Sequence, residues 1–208
     1  MKPAAQTPHA FLDADPSLRQ RLRDLIGMLM RWNGRINLVA DAPVSTLWQR
    51  HVIDSLQLAP LLPPNPAPLL DIGSGAGFPG LVLAAFTGQE THLVESDRRK
   101  AAFLGEAARA LALSNVWVHA VRIDVLPPAG ARVVTARALA SLPILLSYAW
   151  RHLACGGVAL FPKGRTVEFE LTAAAADWTM RIERFSSRTD PASTILRLGD
   201  IRPARTSD

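Results

Sequence analysis

Leu69-Leu70-Asp71-Ile72-Gly73-Ser74-Gly75-Ala76-Gly77-Phe78-Pro79-Gly80 is the stretch on which the fold turns. Leu69 to Ile72 is a short, mostly apolar run of strand length. The glycines behind it let the chain leave that strand sharply and let a ligand approach bare backbone. A helical stretch from Pro79 to about Phe86 follows, then a second strand, His92 to Glu95, and a second helix, Arg98 to Leu111. Val116–His119, Arg132–Thr135 and Gly157–Phe161 read as further strands, with a helix from Ser141 to Leu153 between the last two. Strands alternating with helices imply βαβ units and a parallel sheet covered on both faces. Two more strand candidates, Met180–Phe185 and Thr194–Leu198, close the chain.

Before the glycine stretch the periodicity is helical. Asp15 is placed to cap a helix whose first position is Pro16. Leu18, Leu22, Leu25 and Leu29 form its apolar stripe, and Asn33-Gly34 ends it. A second helix is expected from Ser45 or Thr46 to about Leu61, with Trp48, Val52, Leu56 and Ala59 on one face. The proline-beaded run Pro63-Pro64-Asn65-Pro66-Ala67-Pro68 reads as a linker, since proline cannot continue a helix. The expected organisation is a helical cap, residues 1–62, on a Rossmann-like unit, residues 63–208, the two making one compact body.

The chain has 208 residues, with 49% hydrophobic and 20% charged residues, which suits one globular domain. The net charge of +5 is modest, and its basic residues are mostly arginine, whose planar fork suits phosphate and base edges. A GC-rich genome would give the same bias, so charge permits a nucleic-acid partner without requiring one. The lone Cys155 cannot form an internal disulfide, and Met1 to Phe11 lacks the apolar run of a signal peptide. No segment has the apolar length of a membrane span, so a cytoplasmic location is expected.

In an open parallel sheet, ligands bind at the carboxyl edge where the strand order reverses. Glu95, ending the second strand, is placed to accept both hydroxyls of a ribose. Together with the glycine turn it indicates a nucleoside-type cofactor. Gly75 to Gly80 also satisfies the dinucleotide pattern G-x-G-x-x-G, which keeps a dehydrogenase open. Pro79, however, removes an amide at a helix start that would serve a pyrophosphate. Asp71 is a poor neighbour for that dianion and a good one for a cation. S-adenosylmethionine, with a sulfonium and no phosphate, fits the turn better.

Arg50-His51-Val52-Ile53-Asp54-Ser55-Leu56, the glycine turn Asp71 to Gly80, Arg137-Ala138-Leu139-Ala140-Ser141-Leu142 and Lys163-Gly164 occur in that order. Together they resemble the ribosomal RNA small subunit methyltransferase G family, also called glucose-inhibited division protein B, from about Trp32 to Gly164. The resemblance implies a Rossmann-like class I S-adenosylmethionine-dependent methyltransferase with a mostly parallel sheet and an antiparallel last strand. It implies methyl transfer to guanine N7 at position 527, in the 530 loop of bacterial 16S ribosomal RNA. It also implies that Gly73, Phe78, Ile123, Asp124 and Arg137 contact the cofactor and that Glu95 takes its ribose, with Asp71 and Gly75 shaping the methionine pocket. The sequence departs from the family pattern at Phe78, often leucine there, and at Val39, usually threonine. Alternatives are a class I methyltransferase acting on a small molecule and a non-catalytic RNA-binding protein of this fold.

Guanine N7 carries a free lone pair on the major-groove edge, so no proton must be removed before attack. Aligning two reactants is worth roughly 7–11 kcal/mol. No catalytic acid or base and no metal is therefore nominated. The asparagine- or aspartate-headed proline turn of adenine-N6 enzymes is replaced by Ala136-Arg137-Ala138-Leu139. Cys155 is read as a packed structural thiol in a helix-to-strand turn rather than a nucleophile. Arg50, His51 and Asp54 either line the mouth where RNA enters or dock the cap on the sheet. Lys163, just past a strand ending near Phe161, is an RNA or active-site candidate. Trp32 and Trp48 are assigned to the cap core, and a monomer is expected.

Overall fold

The computed structural model describes residues 7–64 and 68–204. Its centre is a seven-stranded sheet of order β3-β2-β1-β4-β5-β7-β6. The first five strands are β1 (Leu69–Ile72), β2 (Thr91–Val94), β3 (Val116–His119), β4 (Ala131–Thr135) and β5 (Leu153–Lys163). All five run parallel. β6 (Trp178–Ser186) and β7 (Thr194–Pro203) form a hairpin, with β7 inserted antiparallel between β5 and β6. The strand order reverses at β1, between β2 and β4, so the glycine turn leaves the sheet at the switch point.

One short helix, one long helix and a broken one make the cap. α1 (Pro8–Ala14) was not foreseen. α2 (Pro16–Asn33) has the expected cap, the Asp15 carboxylate accepting from the Leu18 amide at 2.9 Å. Leu18, Leu22, Leu25 and Leu29 are all buried. They share one apolar cluster with Leu81, Val82, Phe103 and Leu104 of α5 (Gly80–Thr87) and α6 (Arg98–Ala110). Trp32 packs edge-on to Phe103 at 5.7 Å, and it and Trp48 lie against this cluster. α7 (Leu142–His152) and α8 (Val167–Ala174) cover the other face of the sheet.

The single helix expected from Ser45 to Leu61 is in fact segmented. α3 (Val44–Leu47) passes into a π-helical turn, Trp48–Ile53, then α4 (Asp54–Leu56) and a 3-10 turn, Ala59–Leu61. Val52 and Leu56 remain buried. At the widened turn the Arg50 carbonyl accepts from Arg137, and the His51 carbonyl accepts from both the Asp54 amide and Ser55 Oγ. Asn65 to Ala67 of the expected linker lie outside the described residues.

Cys155 corrects another expectation. β5 starts directly after α7, so Cys155 lies in the strand and not in a turn, and it is exposed rather than packed. The reason is a bulge: Leu153 pairs with Ala131 and Val158 with Val133, so β5 carries extra residues around Cys155 that stand out of register, and only Gly157 to Phe161 reach the buried middle of the sheet, with Val158 to Phe161 at most 3% exposed. Lys163 closes the same strand at its other end. No helix among the described residues is long and apolar enough to cross a membrane.

Candidate functional site

Three of the four glycines in the turn adopt conformations that L side chains rarely take: Gly73 at φ +66°, Gly75 at +53° and Gly77 at +86°. Gly73 also has no room for a side chain. A Cβ there would lie 2.5 Å from Leu139 Cδ1. The turn is tied to its neighbours by the Ser74 amide donating to the Val94 carbonyl (3.0 Å) and by Ser74 Oγ donating to the Asp71 carbonyl (2.8 Å).

Glu95 holds the turn from the side. Its Oε2 accepts from the Gly75 amide at 2.9 Å and its Oε1 from the Asp97 amide at 2.8 Å. A carboxylate offers about four acceptor positions, so two remain, the number that a ribose diol needs. Asp71 sits differently. It is 1% exposed, its Oδ1 accepts from Thr135 Oγ1 at 2.6 Å, and its Oδ2 has no hydrogen-bond partner among the described residues. Burial raises its pKa from 3.8 to about 6, with the hydrogen bonds to Thr135 and Ser74 opposing the rise. Asp71 thus lies beneath the turn, where it acts on the turn through its field. Bare backbone, an acid with spare acceptors and a buried negative charge fit a cationic nucleoside ligand.

The next wall comes from the cap. Arg137, two residues beyond β4, donates to the Arg50 carbonyl (2.7 Å), to His51 Nδ1 (2.6 Å) and to Asp54 Oδ2 (3.3 Å). Its guanidinium also lies 5.6 Å from the centre of the Phe78 ring, on which the His51 imidazole stacks at 4.8 Å. Burial first, then the charges of Arg137 and Arg50, lower the His51 pKa to about 4. His51 is therefore neutral at pH 7, and its unprotonated Nδ1 can accept from Arg137. Asp54 also accepts from Thr189 (2.6 Å) and Gln57 (2.7 Å). These bonds join the cap to the sheet and to the β6–β7 hairpin.

The predicted residues fall into three groups. Gly73, Gly75, Phe78, Asp71 and Glu95 gather at the glycine turn. Arg50, His51 and Arg137 form one cluster against Phe78. Ile123 (8% exposed) and Asp124 lie in a 3-10 turn after β3, where the Asp124 carboxylate accepts from Arg122 Nε and Nη2 at 3.1 Å. Lys163 lies in a cavity of about 350 Å³ lined also by Asp54, Arg137, Glu170, Ser187 and Ser193, so it shares Arg137 and Asp54 with the wall beside the glycine turn. There Lys163 Nζ pairs with Glu170 Oε2 at 2.6 Å and donates to the Ala140 carbonyl at 3.2 Å.

Glu170, Thr135 and the hairpin serines were missed. Glu170 rides on α8, whose buried Val167, Leu171 and Ala174 recur at helical spacing, a stripe too short to stand out. Thr135 carried no signal beyond its place in a strand.

The chain matches the family GidB, rRNA small subunit methyltransferase G, over residues 18–190. It is 59% identical over 174 residues to the ribosomal RNA small subunit methyltransferase G of Granulibacter bethesdensis, covering 84% of this chain and 81% of that one. Its identity to the protein of the same name from Rhodospirillum centenum is 52%, over 88% of this chain and 84% of that one. Among solved structures, a SAM dependent methyltransferase from Aquifex aeolicus superposes with a TM-score of 0.60 at 14% identity, over 76% of this chain and 93% of that one.

Proposed function

The chain belongs to the rRNA small subunit methyltransferase G family, and from that premise we propose that it transfers a methyl group from S-adenosylmethionine to N7 of a guanine in the 530 loop of 16S ribosomal RNA. The observation that carries the reading is the acid-flanked glycine turn at the switch point, with the Arg137–His51–Phe78 cluster as its next wall.

When bound, the donor supplies a methyl carbon already made electrophilic by a positive sulfur. Gly73, Gly75 and Phe78 form the surface on which its methionine part lies, with Asp71 below favouring the positive charge. Glu95 takes the ribose hydroxyls, and Ile123 and Asp124 flank the adenine, with Asp124 accepting from its amine. With the donor held by these residues, its methyl carbon would be available to guanine N7, and the bond to sulfur would break with its electron pair left on sulfur. The attacking lone pair needs no base, so the protein's task is placement and the exclusion of water. Phe78 and the neutral His51 supply an apolar wall there, and Arg137, already committed to the cap, fixes that wall in position. Arg50, which is exposed, supplies positive charge toward RNA, and Lys163, paired with Glu170, lines the adjoining cavity.

The test is labelled methyl transfer to small subunits from a strain lacking this protein, followed by mapping of the modified base. Label at guanine N7 in the 530 loop is the expected result. Label at another atom, or none despite bound donor, overturns the reading.

A further inference from the structure

We propose that the Lys163–Glu170 pair is the element that reads the target base as guanine, by engaging its O6 and N1–H together. The inference rests on the guanine reading above and concerns residues to which that reading gives no specificity.

The pair lies in the cavity at the carboxyl edge of β4 and β5, beside the Arg137 wall. Lys163 and Glu170 side chains are 10% and 17% exposed, so both have left bulk water. Each is nearly saturated but not fully so. The Lys163 ammonium has three donors, of which Glu170 and the Ala140 carbonyl take two. Glu170 has about four acceptor positions, of which Lys163, the Leu142 amide (2.8 Å) and Thr166 Oγ1 (3.2 Å) take three. Among the described residues this leaves one donor next to one acceptor, on two groups 2.6 Å apart.

Guanine presents the complementary pattern: O6 accepts and the adjoining N1–H donates. Adenine presents the reverse, an amine donor beside an acceptor nitrogen, so its amine would meet the ammonium and its lone pair the carboxylate. With the base seated over this largely buried pair, both mismatches leave polar groups unpaired, the situation in which discrimination is largest. O6 lies on the same edge as N7. A base held by Lys163 at O6 therefore keeps N7 next to its anchor point and open to the donor, without a protein group on N7 itself.

The test uses small subunits reconstituted with RNA carrying guanosine, inosine, 2-aminopurine or adenosine at the mapped position, all of which keep the N7 lone pair. Wild-type protein is expected to accept inosine within about threefold of guanosine, because O6 and N1–H are both present. It should reject 2-aminopurine and adenosine by roughly 100-fold or more, consistent with losing a paired contact in a site built to hydrogen-bond. Glu170→Gln is nearly isosteric and should lower kcat/KM on guanosine by about 10- to 100-fold, with no further loss on 2-aminopurine. Lys163→Met, which keeps the apolar stem, should narrow the guanosine-over-2-aminopurine ratio in the same direction, and serves alone if Glu170→Gln does not fold. Breaking the pair should lower the melting temperature in both variants, so activity is read well below it, while donor affinity, measured by calorimetry, should stay near wild type. Rejection of inosine as strong as that of adenosine, or a guanosine-over-2-aminopurine ratio unchanged in the variants, overturns the inference while leaving the functional reading intact. Wild-type transfer to an atom other than N7 overturns the functional reading, and this inference with it.

Discussion

Replacing Asp71 by Asn should make stability less dependent on pH while weakening the hold on a cationic donor. Asp71 is buried, with one oxygen bonded to Thr135 and the other without a partner. Burial raises its pKa from 3.8 to about 6. At 1.36 kcal/mol per pH unit, that gap corresponds to about 3 kcal/mol by which the ionised carboxylate disfavours the folded state above pH 6. The folded carboxyl binds its proton more tightly than the unfolded one, so this contribution turns in favour of folding as pH falls from about 6 to about 4. Asn cannot titrate. Its amide nitrogen, in a place with no acceptor, costs an amount of about 1–3 kcal/mol that does not vary with pH. Urea unfolding of wild type and Asp71→Asn at pH 7.5 and pH 4 should therefore show the stability difference moving toward wild type by about 2.5 kcal/mol at the lower pH, and other titrating groups cancel in the difference. Donor affinity should fall about tenfold for S-adenosylmethionine and much less for S-adenosylhomocysteine, whose sulfur is uncharged. A stability difference that does not move with pH refutes the buried-charge reasoning. Equal losses for the two ligands refute the electrostatic role.

Four further outcomes follow from the same geometry. Glu95→Ala removes the acceptor of the Gly75 and Asp97 amides and should weaken donor binding by about 10- to 100-fold, since a bond to a charged group is worth about 1.5–3 kcal/mol; calorimetry measures it. Gly80→Ala would place a Cβ 2.4 Å from Leu93 Cδ2 and 2.7 Å from Asp71 Oδ2, an overpacking expected to cost about 1–3 kcal/mol in urea unfolding. His51, with its pKa lowered to about 4, is neutral in the fold, so its contribution to stability is kept above about pH 6.5 and lost as pH falls toward 4; His51→Gln should flatten that part of the profile. Cys155→Ser should change stability by less than about 0.5 kcal/mol, because the thiol is exposed.

The glycine turn and the strands around it were legible because their residues obey local rules: apolar runs of strand length, positive-φ glycines, and an acid one βαβ unit later. The cap stripe was legible for the same reason, with Leu18 to Leu29 at helical spacing. The π-helical turn at Trp48–Ile53 was not, since its stripe is that of an ordinary helix and its widening is matched by Arg137, which lies far away in sequence. For Arg50, His51 and Asp54 the sequence left two roles open, and the bonds to Arg137 and Thr189 show that they do join cap to sheet. Glu170 was hidden because its partner Lys163 stands on a different element. Cys155 was misread because burial was inferred from residue type, whereas the bulge at the start of β5 decides it.

β5 sets its two ends far apart: Cys155 is near its start and Lys163 is its last residue. Val158 to Lys163 spans about 16 Å at ~3.3 Å per residue and the bulge before it adds only a few more, so the two are roughly 20 Å from each other. As the sequence contains one cysteine, a maleimide dye would attach at a single known point, remote from the cavity yet rigidly linked to it. Energy transfer from that dye to a labelled RNA would report arrival of the substrate without touching any residue that handles it.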